Sequence, residues 1–194
     1  MNYLAHIYLS GNDNGITIGN FIADGIKGKR YEKYPADIQK GIILHRFIDS
    51  YTDSHPTVRQ STAKLHENYG HYSGVIVDIL YDHFLAKNWN HYSKVPLVDY
   101  VEDFYNLLKQ NFETLPLRIQ KMMPYMMADN WLLSYATIPG ISKILVQMNI
   151  RTKGKSNMNL AVTELEHYYE EFEAEFTSFF AELIVATKNK LMEL

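Results

Sequence analysis

Apolar and aromatic residues recur three or four positions apart along nearly the whole chain, and this spacing is the tightest constraint on its fold. After Pro35 the pattern runs Ile38, Ile42, Leu44 or Ile43, Ile48. Near the C-terminus it runs Leu165, Tyr168, Phe172, Phe176, Phe179, Leu183. No stretch shows the strict alternation of a half-buried strand, and six prolines with ten glycines are fewer than a many-turned β protein uses. The spacing predicts helices over residues 1–9, 16–26, from Pro35 onward, 56–68, 75–89, 96–115, 118–135 and 139–148. Pro35 suits a first helical position, and Ser54-His55-Pro56 reads as a cap followed by a helix start. Residues 160–194 read as one long helix or a kinked pair. The polar, basic piece 151–159 reads as a loop within the fold, so residues 1–194 are expected to form a single all-α domain.

Composition narrows the chemistry. With 19 Lys and Arg against 22 Asp and Glu the net charge is −3, which leaves no overall basic footprint for nucleic acid or for a membrane surface. Hydrophobic residues at 46% with 21% charged describe a folded globule. There is no cysteine, so disulfides, thiolate nucleophiles, Cys-ligated zinc and iron–sulfur clusters are excluded. Any metal has to sit on His, Asp or Glu. No run approaches the roughly 18 apolar residues of a spanning helix. The start, MNYLAHIYLS, lacks the basic opening and long apolar stretch of a signal peptide, so a cytoplasmic location is expected.

Histidines and carboxylates of the first ninety residues repeat at i,i+4, which puts each pair on one helix face. The pairs are Asn2/His6, Asn20/Asp24, His45/Asp49, Asp49/Asp53 and Asp78/Asp82, with His83 beside the last. Asp24, Asp78 and Asp82 interrupt apolar helices, where a charge must be paired or must bind a metal. Acidic and imidazole positions on several helices point to a common centre for a divalent cation: Mn, Mg, Fe or Zn. Lys27, Lys29, Arg30 and Lys33 follow Asp24, and Arg46 neighbours His45; together they could receive an anionic substrate. Structural roles compete at several of these positions. Asp53 could cap the next helix or pair with Arg46, His6 could be a hydrogen-bonded core residue, and the Lys27–Lys33 cluster could be a solvated turn. Met122, Met123, Met126 and Met127 suit core filling, and the C-terminal aromatic stripe suits packing or the face of a homo-oligomer.

Five segments together carry a family resemblance. Asn2-Tyr3-Leu4-Ala5-His6, Gly19-Asn20-Phe21-Ile22-Ala23-Asp24, Gly41-Ile42-Ile43-Leu44-His45-Arg46-Phe47-Ile48-Asp49, Thr52-Asp53-Ser54-His55-Pro56 and Tyr81-Asp82-His83-Phe84-Leu85-Ala86 resemble the acyl carrier protein phosphodiesterase family. The Met148–Arg151 region and the helical tail resemble it more loosely, and Gln147 stands where a basic residue is expected. The resemblance implies an all-helical fold distantly similar to HD-domain phosphohydrolases. It also implies a divalent metal, manganese preferred, and hydrolytic removal of phosphopantetheine from holo acyl carrier protein, a step of fatty-acid metabolism. Carried over by position, it implies Asp24, His45 and Asp82 as catalytic residues, with Asp49, His6 and His83 completing the metal ligands. Lys27, Lys29, Arg30 and Arg46 are the expected substrate contacts. Two other readings remain open at this level: a metal phosphohydrolase of small nucleotides or phosphoesters, and a non-catalytic helical binding module.

Overall fold

Eleven α-helices and no strand make up the computed structural model, which describes residues 1–194. The all-α class read from the periodicity is the class observed. α1 (Tyr3–Leu9) and α2 (Asn14–Ile22) each start behind a polar cap; Asn2 accepts from the Tyr3 N–H and Asp13 from the Ile16 N–H. α2 ends before the expected residue 26. The chain instead tightens into 3-10 turns over Ala23–Gly25 and Gly28–Lys33, with Gly28 at φ 56°.

α3 (Ala36–Ser54) opens behind Pro35 and buries Ile38, Ile42, Leu44 and Ile48. α4 (Pro56–Tyr69) follows at once. Its cap is His55, whose ring accepts from the Thr57 N–H, while Ser54 closes α3. α5 (Ser73–Lys87) is apolar on nearly every side and is therefore surrounded; Ile79 through Ala86 are all buried.

α6 (Leu97–Gln110) precedes α7 (Leu117–Ala128) and α8 (Trp131–Ser134). The single helix expected over 118–135 is broken between these two because Asn130 adopts φ 44°. α9 (Ile138–Arg151) leads through a turned segment into α10 (Val162–His167) and α11 (Tyr169–Glu193), the kinked pair. Phe172, Phe176, Phe179, Phe180 and Leu183 are fully buried, so the aromatic stripe of α11 is spent inside the protein. One core of 46 buried apolar residues runs from Met1 to Leu183.

α2 and α3 meet backbone to backbone at a pair of glycines. A Cβ built on Gly19 would lie 2.1 Å from the Ile38 carbonyl oxygen, and one on Gly41 would lie 2.2 Å from that of Ile16. Only hydrogen atoms fit there. Asn20 follows the first glycine, and His45 lies one turn after the second.

Candidate metal centre and cleft

Asn20 is fully buried between α1 and α3. Its amide nitrogen donates to the His6 carbonyl (2.8 Å) and to Ser10 Oγ (2.9 Å), so its oxygen is the atom facing His6 Nδ1 at 2.8 Å. The His6 Nδ1 therefore carries a proton. The Asn20 backbone carbonyl can only accept, and His45 Nδ1 lies 2.8 Å from it, so that nitrogen is protonated too. Both rings are thus held with Nε2 toward the cleft. They stack with centroids 4.0 Å apart.

Two carboxylates meet these nitrogens. Asp49 Oδ1 lies 3.2 Å from His6 Nε2 and its Oδ2 3.1 Å from His45 Nε2, while Asp24 Oδ1 lies 3.2 Å from His45 Nε2. His6, His45 and Asp49 offer ligand atoms within 4.8 Å of one another. Burial and the neighbouring His45 hold His6 down at about 4, so it is neutral. Burial opposes charge on His45 as well, but hydrogen bonds to Asp24 and Asp49 raise it to about 9. Burial alone would raise Asp49; hydrogen bonds from both imidazoles hold it far below the ordinary carboxylate range instead. Asp24 is also lowered, chiefly by its hydrogen bond with His45.

A neutral His6 has a lone pair on Nε2, aimed at an ionised Asp49. Two electron-rich atoms 3.2 Å apart are stable only with a cation or proton between them. An imidazole anchored through Nδ1 with Nε2 toward the cleft is also the usual posture of a metal-ligating histidine, and His45 would ligate once its Nε2 proton gives way to the ion. On both counts the donor set fits a divalent ion.

The remaining expected site residues lie elsewhere or differ in setting. Asp24 is 58% exposed, on the 3-10 turn after α2 and not inside an apolar helix. Asp82 is fully buried, and the structure does not bring it into the cluster. Its oxygens accept from the N–H groups of Leu4 (2.7 Å), Asn2 and Ala5 (both 3.3 Å), fastening the start of α1 onto α5. Burial pushes Asp82 up to about 7, against the pull of the Met1 ammonium and those N–H groups. Asp78, one turn earlier, binds the Met1 ammonium at 2.8 Å. These two carboxylates meet the pairing requirement with the N-terminal segment.

His83 faces away. Its Nδ1 lies 2.7 Å from the Tyr135 carbonyl and its Nε2 2.8 Å from the Tyr169 hydroxyl. Arg46 donates to the carbonyls of Ile26 and Gly28 and lies over the Tyr31 ring, which pins the turn after Asp24. Lys27, Lys29 and Arg30 are exposed on that turn.

The cluster lies in a cleft of about 750 Å³. Asp53 and Asp78 share its acidic wall. None of Lys27, Lys29, Arg30 or Arg46 lines it. The facing wall comes from α7 and α9: Arg118, Lys121 and Met122 from one, Gln147, Met148 and Arg151 from the other, with Trp131 nearby. Trp131 Nε1 is buried without a hydrogen-bond partner. Sequence reasoning missed Arg118, Lys121 and Trp131, because they sit on helices with no imidazole or carboxylate pattern. The signal that could have found them is charge, since Asp129 is the one carboxylate between residues 115 and 163.

Fold and site together define a class: an all-helical protein that presents an imidazole–carboxylate cluster of the divalent-cation type at the wall of an open cleft. The model of the acyl carrier protein phosphodiesterase family matches residues 1–183, so the chain belongs to that family. It is 29% identical over 191 residues to the acyl carrier protein phosphodiesterase of Pectobacterium atrosepticum, covering 98% of this chain and 99% of that protein. It is 30% identical over 193 residues to that of Photorhabdus laumondii, covering 98% and 96%. The protein of the same name from Escherichia coli O139:H28 is 27% identical over 197 residues, covering 99% and 100%. No solved structure matches the chain.

Proposed function

We propose that this protein hydrolyses the phosphodiester that joins the phosphopantetheine arm to the serine of holo acyl carrier protein, using a divalent ion with manganese preferred. The observation that carries the proposal is the pair of imidazoles, both turned Nε2-outward by Asn20 onto Asp49 in a family member whose named relatives act on that substrate. His6, His45 and Asp49 would hold the ion. Such an ion lowers the pKa of water and withdraws charge from a phosphoryl oxygen.

The chain's own groups supply the rest. Asp24 is ionised, exposed to the cleft and hydrogen-bonded to His45, so its outer oxygen can take the proton of the attacking water. Arg118, Lys121 and Arg151 face the cluster and offset the charge that builds on the phosphoryl group. Apolar Met122, Ile144 and Met148 give the arm a dry wall. The cytoplasm, where such a carrier protein would be met, is the proposed location, and no helix is long and apolar enough to cross a membrane.

Intact mass spectrometry of holo carrier protein tests the reading. Incubation with the protein and Mn should remove the mass of the arm, and EDTA should stop the loss. Asp49→Asn should abolish both the activity and the rise in melting temperature on adding Mn. That rise corresponds to about 2.7 kcal/mol for wild type at a free-ion concentration of 100 times Kd. An unchanged carrier mass alongside hydrolysis of small nucleotide phosphodiesters would transfer the site to the other substrate class.

A further inference from the structure

Charge is strongly segregated along this chain. Residues 115–163 hold six Lys and Arg against one carboxylate, a net +5, while the other 145 residues hold 13 against 21, a net −8. Asp129 is bonded to Lys143 at 2.8 Å. The other five cations, Arg118, Lys121, Arg151, Lys153 and Lys155, have no carboxylate within ion-pair distance. All five are exposed. Three of them line the mouth of the cleft opposite the acidic cluster.

The same segment exposes large apolar side chains. Leu117 (64%) and Tyr125 (69%) flank Lys121 one turn to either side on α7, and Val146 and Ile150 (69%) lie one turn apart on α9. Ile150 also lines the cleft. Exposed aromatic and aliphatic residues set among unpaired cations make a surface suited to a protein, since a bare phosphate has no use for the apolar part.

We infer that this α7–α9 face, with the turn over 151–155, is the docking surface for an acidic protein partner, the carrier whose arm enters the cleft. The inference rests on the function proposed above and adds where the partner sits. Charge complementarity selects an acidic occupant, and residues 164–194, with eight Glu against two Lys, repel one there. Position selects this face over the basic turn Lys27–Lys33, because only here do the cations border the cleft that the arm has to enter.

Binding of apo carrier protein, which has no arm to occupy the cleft, isolates docking from catalysis. Lys121→Glu/Lys153→Glu/Lys155→Glu should bind apo carrier protein on the order of tenfold more weakly than wild type, with a shallower dependence on salt. The neutral triple Lys121→Gln/Lys153→Gln/Lys155→Gln should show the same loss in smaller degree. Lys29→Glu/Arg30→Glu should bind as wild type. Far-UV circular dichroism should be the same for all four proteins, because every substituted residue is exposed. Wild-type affinity in the triple variants, or a loss confined to Lys29→Glu/Arg30→Glu, would overturn the inference while leaving the proposed function standing if wild type still trims holo carrier protein. A wild type that neither binds nor trims it would overturn both.

Discussion

The side chain of Asn20 has two N–H donors and one oxygen, and all three are engaged, with the His6 carbonyl, Ser10 and the His6 ring. Its backbone carbonyl takes the His45 ring as well. One buried residue therefore sets the protonation pattern of two histidines, so it acts on any bound ion without touching it. Asn20→Ala should leave His6 free to rotate and to change tautomer. Metal affinity should fall roughly 10- to 100-fold, the usual cost of losing the partner that orients a ligand. A Mn titration followed by melting temperature measures this; an unaltered midpoint would show that Asn20 is only a core hydrogen bonder.

At the level of elements, two junctions hold the site in register. The first is the attachment of α1 to α5 through Asp82. Asp82→Asn keeps the size but replaces one acceptor by an N–H₂ aimed at backbone N–H groups. Leaving such donors unsatisfied in the core costs about 1–3 kcal/mol. The variant should melt lower in EDTA and in Mn alike, with the Mn-induced shift preserved. A lost Mn shift at unchanged stability would instead make Asp82 part of the metal centre. The second junction is the glycine contact between α2 and α3. Gly41→Ala places a methyl against the Ile16 carbonyl and has to push the helices apart. Overpacking of this kind costs about 1–3 kcal/mol. Because His45 reaches Asn20 across this contact, Mn affinity should fall along with stability. A stable variant with wild-type Mn affinity would show that the contact has slack.

For the whole molecule, folding should not depend on an ion at the His6–His45–Asp49 cluster. The core is built from 46 apolar residues, and Phe172, Phe176, Phe179 and Phe180 of α11 pack into it far from the imidazoles in sequence. Chelation should therefore abolish activity and leave the far-UV circular dichroism of the helices unchanged. Loss of helicity in EDTA would mean that the ion is part of the fold, as in small metal-dependent domains. The two walls of the cleft carry opposite charge, with Asp24, Asp49, Asp53 and Asp78 on one and Arg118, Lys121 and Arg151 on the other.

Legible in the sequence alone are the helical class, the inward face of α3 and the placement of His45 and Asp49 on one side of that helix. All of these follow from spacing along one chain, where a 3.6-residue period fixes which side chains share a face. Spacing cannot say which faces of different helices meet. Asp82 and Asp24 have the same local signature, an acid among apolar neighbours, yet one is fully buried under the start of α1 and the other opens to the cleft. His83 stands beside Asp82 and turns the other way. The left-handed Asn130 splits the helix expected over 118–135, and the facing wall belongs to helices without any imidazole pattern. These assignments depend on which helices pack together, and that is settled by long-range burial and by backbone contacts such as Gly19 against Gly41, which only the assembled tertiary structure contains.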